Sequence, residues 1–246
     1  MPSATRRLFD IWEAVLPLSP ARRALGLVAA MRPDLLAPAR GELSVGERDG
    51  TLLRLRAAVF GTTISAVSRC QACDERVELS FEIDDVQVAG DRPDTDQGDV
   101  LVVEQDGWSV RNRLPSSEDI VCIERATSEQ EATAELWRRC TLDVRFDGRP
   151  RAVDAIPEAV RTAMADRFAT SDPQADVQIQ LLCPACSSTW EQDFDISSFL
   201  WAEIDTWARR LLADVHVLAR AYGWDEDQIL ALSPLRRHAY LEMVSA

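Results

Sequence analysis

Two short stretches of this chain are copies of one another. Cys70-Gln-Ala-Cys73-Asp-Glu-Arg-Val77-Glu-Leu-Ser-Phe81-Glu-Ile83 slides without a gap onto Cys183-Pro-Ala-Cys186-Ser-Ser-Thr-Trp190-Glu-Gln-Asp-Phe194-Asp-Ile196. Both cysteines coincide, as do Ala72 with Ala185, Glu78 with Glu191, Phe81 with Phe194 and Ile83 with Ile196. A β-like run enters each pair (Thr63 to Arg69; Val177 to Leu182) and an alternating run leaves it (Val77, Leu79, Phe81, Ile83; Trp190, Gln192, Phe194, Ile196). The repeated unit therefore reads as strand, knuckle, strand.

Two C-x₂-C pairs supply four thiolates, the ligand set of a closed tetrahedral zinc site. The stretch between Cys73 and Cys183 is far longer than a ribbon loop, but two similar units can face one another whatever lies between them. Cys70, Cys73, Cys183 and Cys186 are thus expected to hold a structural Zn²⁺, their sulfurs within roughly 4 Å of one another. The bland alternative is two reduced pairs in a core. Neither knuckle has a glycine after its second cysteine; Asp74 and Ser187 stand there, where a left-handed turn suits glycine best. Cys183-Pro-Ala-Cys186 also reads as a redox dithiol, but that chemistry wants the first cysteine at a helix N-terminus, and Trp190 to Ile196 alternates like a strand. Cys122 and Cys140 read as small core hydrophobes.

The rest of the pattern gives an α+β chain. Leu8, Ile11, Trp12, Val15 and Leu16 form one helical stripe; Ser19 is placed to cap a second helix with Pro20 at its first position; a third runs from about Glu47 to Phe60 and ends at Gly61. Asp106-Gly107 reads as a hairpin turn, Ser128 and Glu131 as a capping box, and Pro157 as a helix start. Ile204, Trp207, Leu211, Val215, Leu218 and Tyr222 mark a long helix stopping at Gly223, succeeded by two short ones opened by Asp225 and Ser233-Pro234. The chain divides into five segments: N-terminal helices 1–61, first knuckle and strands 62–110, a mainly helical insertion 111–170, the second knuckle 171–196, and a C-terminal helical docking unit 197–246.

Composition narrows the function. The net charge is −14, and all 27 basic residues are arginine. A nucleic-acid-binding protein needs a basic patch, and none is present, so no nucleic-acid partner is expected. The densest charge run is acidic, Asp84 to Asp106, and lacks the spaced ligands of an EF-hand. No apolar stretch reaches bilayer-spanning length, and Met1 to Asp10 is not followed by a signal-peptide core, so no membrane association and a cytoplasmic location are expected. No nucleophile elbow, phosphate loop, dinucleotide fingerprint or H-E-x-x-H motif is found, and the two histidines, His216 and His238, read as packing or solvated residues. The chain is expected not to be an enzyme. Trp201, Trp207, Tyr222, Trp224, Arg236, Arg237 and Tyr240 are candidate partner-binding residues, because aromatic residues and arginine are enriched where interfaces carry energy.

The block Cys183-Pro-Ala-Cys186, Trp190, Phe194-Asp-Ile196, Phe199-Leu-Trp201, Arg210, Val215-His216, Ala221-Tyr222-Gly-Trp224, Ile229, Arg236-Arg237 and Tyr240-Leu resembles the C-terminal part of a family found in phage and phage-tail-like contractile injection gene clusters. Gly46-Glu-Arg-Asp49 and Phe60-Gly61 ahead of the first knuckle, with Arg111-Asn-Arg-Leu-Pro-Ser, resemble its N-terminal and middle parts. Its members are grouped with the T-even phage baseplate hub assembly chaperones. The resemblance implies a non-enzymatic protein serving the assembly of a contractile tail, with a baseplate, hub or tail-tube protein as partner. A zinc-ribbon regulator and, further off, a dithiol oxidoreductase are the alternatives.

Overall fold

A computed structural model describes residues 4–36, 43–88 and 100–245. It is 58% helical and 20% strand, with small antiparallel sheets, an α+β chain as expected. The middle of the acidic run, including Asp91, Asp94, Asp96 and Asp99, lies outside the described residues.

Helices α1 (Ala4–Val15), α2 (Pro20–Met31) and α3 (Val45–Phe60) form the N-terminal layer. Phe9, Trp12 and Val15 are the buried stripe of α1, and Trp12 Nε1 donates 3.0 Å to Asp205 on the long C-terminal helix. Ser19 stands at the N-cap of α2 but makes no capping bond. Its hydroxyl lies 2.5 Å from Glu124, whose other oxygen accepts from Ala21 N at 2.6 Å, so a distant carboxylate serves the orphan N–H groups instead. Ser44 and Glu47 form the capping box of α3, and Gly61 ends that helix at φ +90°.

The first hairpin pairs β1 (Thr63–Arg69) with β2 (Arg76–Glu82), and the second pairs β7 (Gln178–Leu182) with β8 (Thr189–Asp193), both antiparallel. Between them in sequence lies a four-stranded sheet in the order β3 (Leu101–Gln105), β4 (Trp108–Asn112), β5 (Thr141–Phe146), β6 (Arg149–Pro150), with Asp106 and Gly107 turning left-handed between β3 and β4. Segment 111–170 supplies α5 (Ser117–Ile123), α6 (Glu129–Cys140) and α7 (Glu158–Ser171), but it also supplies β5 and β6, and the boundary at residue 110 cuts through β4. The physical reason is a shared core. Val103, Val110 and Val144 point from three neighbouring strands onto Val160 and Met164 of α7.

The expected strands through Ile83 and Ile196 end sooner. Ile83 begins α4 (Ile83–Val86) and Ile196 begins α8 (Ile196–Tyr222), so the repeat extends into a matching strand-to-helix switch. The carboxylates decide it: Glu82 and Asp85 cap α4 reciprocally, and Asp195 accepts from Ser197 N and Ser198 N at the start of α8. Gly223 closes α8 in the left-handed conformation, and α9 (Glu226–Leu230) and α10 (Pro234–Ser245) fold back beside it.

The main core runs from α1, α2 and α3 through Ile64 and Ile83 to Ile196, Leu200, Ile204, Ala208 and Leu211 of α8. Both knuckle modules therefore root an isoleucine in one core. Arg56 clamps them: Nη1 donates 2.8 Å to Gly61 O and 2.6 Å to Thr63 O, while Nε and Nη2 hold Glu203 of α8, each at 3.0 Å. Among the described residues no helix is long and apolar enough to cross a membrane.

Candidate metal centre

Each knuckle is built the same way. Cys70 N donates to Glu75 O and Asp74 N to Cys70 O; Cys183 N donates to Ser188 O and Ser187 N to Cys183 O; all four bonds are 2.9 Å. These two reciprocal turns force the residue after the second cysteine into the left-handed region, and Asp74 and Ser187 both sit at φ +60°. A non-glycine residue there stores about 1 kcal/mol of strain, which two backbone bonds and the strand pairing hold in place.

The turns face one another. Cys70 Sγ lies 3.6 Å from Cys186 Sγ and Cys73 Sγ 3.6 Å from Cys183 Sγ. Exchanging the two copies maps one contact onto the other, so the arrangement has an approximate twofold relation. Phe81 and Phe194, also equivalent, meet edge to face at 5.4 Å. The first cysteine of each pair is buried, at 2% and 1% exposure, and the second of each is exposed. Cys70, Cys183 and Val77 form a small apolar cluster with Leu79 and Trp190 packed against it.

All four sulfurs lie within 4.8 Å of one another. A tetrahedral zinc with Zn–S bonds of about 2.3 Å sets its sulfurs about 3.8 Å apart. Two of the contacts are already at that spacing, and the widest separation in the group exceeds the roughly 4 Å expected from the sequence by less than an ångström. The group can hold a metal ion. Its protons are unevenly shared: the Ser188 hydroxyl pulls the Cys70 thiol down to about 6 and lowers Cys186, whereas Cys73 is pushed up to about 12. The Glu75 N–H favours the Cys73 thiolate, but hydrogen bonds with Cys186 and Cys183 and partial desolvation outweigh it. Four thiols packed this closely ionise together only when a cation balances them.

The partner-binding candidates divide into two groups. Trp201 is half-buried with the Arg23 guanidinium 4.6 Å over its ring, and Trp207 is half-buried against the main core. Arg237 is 6% exposed, with Nε 3.4 Å from Asp214 and Nη1 buried without a hydrogen-bond partner. These three face inward. Tyr222, Trp224 and Tyr240 form one aromatic cluster, with centroids 4.7 Å apart for Tyr222 and Trp224, 4.9 Å for Trp224 and Tyr240 and 5.6 Å for Tyr222 and Tyr240. Tyr222 and Arg236 are exposed. On α10 Leu235 is 80% exposed, whereas Arg237 takes an inward position. Cys140 is fully buried, but Cys122 is exposed on α5 and is not a core residue.

Sequence reasoning missed Ser188, whose Oγ lies 3.2 Å from Cys70 Sγ and 3.1 Å from Cys186 Sγ. The signal available was the mismatch between the copies, since Glu75 holds that place in the first knuckle. It also missed Asp119, a carboxylate with no exposed surface that accepts from Arg113, Arg139 and Ser116 and holds the junction of α5, α6 and β4.

A family model described as T4 bacteriophage base plate protein matches residues 33–201. The match takes in α3, both knuckles and everything between them, and ends within the first turns of α8. No curated protein and no solved structure gives a match.

Proposed function

Because the chain belongs to the T4 bacteriophage base plate protein family, we propose that it is a non-enzymatic assembly or structural protein of a contractile phage tail or tail-like injection particle, acting at the baseplate hub. Family membership over most of the chain carries the baseplate role and, with it, interaction with other baseplate components. The hub, the chaperone-like mode and the tail-tube or hub protein as direct partner rest on the resemblance of the knuckle and tail motifs.

Within that role the four cysteines serve as a structural zinc clasp. The chemistry of the donor set supports this: four sulfurs, two from each of two sequence-distant hairpins, close on one point within 4.8 Å. A redox dithiol is less well supported, because the attacking cysteine of such a pair must be reachable, and Cys70 and Cys183 are the buried members. A nucleic-acid-binding ribbon conflicts with a net charge of −14.

The partner surface is drawn smaller than the sequence alone suggests. Tyr222, Trp224 and Tyr240 offer a preformed aromatic cluster, and α10, which carries Tyr240, also carries Arg236 and the exposed Leu235, Met243 and Val244, a combination suited to an interface. Trp201 and Trp207 pack against the main core and Arg237 turns to Asp214, so these three are not part of that surface. These helices lie beyond the family match, which suits a part that adapts a shared body to one particle's partner. The test is co-purification from cells expressing the native tail gene cluster. The full chain is expected to bring down a hub or tail-tube component, and a chain stopped after Gly223 is expected to lose it while retaining zinc. Unchanged capture by the shortened chain would remove the docking role from α9 and α10.

A further inference from the structure

The duplication repeats the turn geometry of the clasp, but it does not repeat the hydroxyl of Ser188. One backbone donor is doubled, the Glu75 N–H reaching Cys73 and the Ser188 N–H reaching Cys186 at the equivalent place, and Ala72 N also donates 3.4 Å to Cys70 Sγ. The side chains at that place differ. Ser188 Oγ sits 3.2 Å from Cys70 Sγ and 3.1 Å from Cys186 Sγ, touching one sulfur from each knuckle. Glu75 is exposed and offers no hydroxyl at that place.

Resting on the zinc reading, we propose that Ser188 is a positioning residue of the metal centre, its hydroxyl proton holding the Cys70 and Cys186 thiolates, whereas no side-chain hydroxyl among the described residues reaches Cys73 or Cys183. A dication with four thiolates leaves a net charge of −2, so a donor to sulfur draws off charge and stabilises the bound state. A hydroxyl carries one proton, so it serves one sulfur fully or two partially, and the four sulfurs become chemically unequal. Outer-shell donors of this kind govern both affinity for the metal and the reactivity of the ligand.

The full-length chain loaded with Co²⁺ or Zn²⁺ tests this. Ser188→Ala is expected to bind zinc about tenfold more weakly in competition with a chromogenic chelator. Its thiolate-to-cobalt charge-transfer band should move to lower energy, because an unbonded thiolate gives up its electrons more easily. Ser188→Thr, which keeps the hydroxyl, should restore both. On the zinc-loaded protein, iodoacetamide should modify exposed Cys73 faster than exposed Cys186, and Ser188→Ala should erase that difference. Equal affinity, an unmoved band and an unchanged alkylation ratio in Ser188→Ala would overturn the role of Ser188 and leave the clasp standing. A wild-type chain that takes up neither metal would overturn the clasp and this role with it.

Discussion

The two knuckles share a backbone and differ in their side chains, and the contrast separates what makes the clasp from what tunes it. Turn hydrogen bonds, the positive φ after the second cysteine, the buried-then-exposed order of the sulfurs and the strand-to-helix switch at Ile83 and Ile196 are all duplicated. Outside the ligands, the copies diverge at eight of the aligned positions, among them Glu75 against Ser188 and Asp74 against Ser187, and in the helix that the switch opens, four residues long in one copy and 27 in the other. The shared part is what geometry requires to bring four sulfurs together. On the zinc reading, the unshared part would set how tightly and how symmetrically they hold, and it decides which half carries the chain onward into α8.

The largest expected effect comes from breaking the symmetry at a ligand. Cys70→Ser and Cys183→Ser each remove a buried sulfur at equivalent positions, so both should lower zinc affinity by more than the roughly 100-fold of an outer-shell change, and by similar amounts in a chelator titration. A metal-loss difference of more than tenfold between them would break the twofold account. Next is the aromatic pair across the axis. Phe194 also meets Phe199 at 5.7 Å, whereas Phe81 has only the shared contact among the ring pairs seen. Phe194→Ala should therefore cost about 1 kcal/mol more than Phe81→Ala in denaturant unfolding.

A lesion outside both knuckles separates stability from metal retention. Asp119→Ala leaves Arg113 and Arg139 without their shared carboxylate and should destabilise the fold by about 3 kcal/mol, while zinc affinity stays within twofold of wild type. Burial opposes ionisation of Asp119, but hydrogen bonds from Arg113, Ser116 and Arg139 outweigh it and hold the carboxyl well below the usual carboxylate range. A carboxyl depressed in the fold stabilises it fully above its unfolded value of 3.8 and progressively less as the pH falls further. The gap in melting temperature between wild type and Asp119→Ala should thus be constant near neutrality and narrow below about pH 4.

The smallest effects are at the positive-φ residues. Ser187→Gly should stabilise by up to about 1 kcal/mol, and Asp74→Gly by less, because aspartate tolerates the left-handed region better and Asp74 also meets Arg69 at 3.2 Å. Thermal melts of the zinc-loaded variants rank the two. Adding the missing hydroxyl with Glu75→Ser should strengthen zinc binding, by no more than about tenfold, and bring Cys73 alkylation down toward that of Cys186.

What could be read from the sequence depends on the range of the interaction. Knuckle spacing, the Asp106-Gly107 turn and Gly223 after the long helix are local signals and stand in the structure where periodicity and turn chemistry put them. The Ser128 cap is local too, although Glu131 reaches Thr127 rather than closing the box. Features set by distant partners were not legible. Glu124 replaces Ser19 at the start of α2, Arg237 turns inward whereas Leu235 stands in solvent, and the sheet reaches across the 110 boundary because Val110 pairs with Val144. The four-sulfur cluster was legible only because the chain writes its ligands twice. Ser188 escaped notice because it is one of the places where the copies disagree.

Cys70, Cys73, Cys183 and Cys186 are proposed to close one metal site that joins two distant stretches of the chain. Elemental analysis with zinc K-edge X-ray absorption on protein purified under reducing conditions tests it most directly. One zinc per chain surrounded by four sulfurs at about 2.3 Å is expected, with the signal lost in Cys70→Ser and in Cys183→Ser alike. Absence of zinc, or a shell in which nitrogen or oxygen replaces two of the sulfurs, would contradict it.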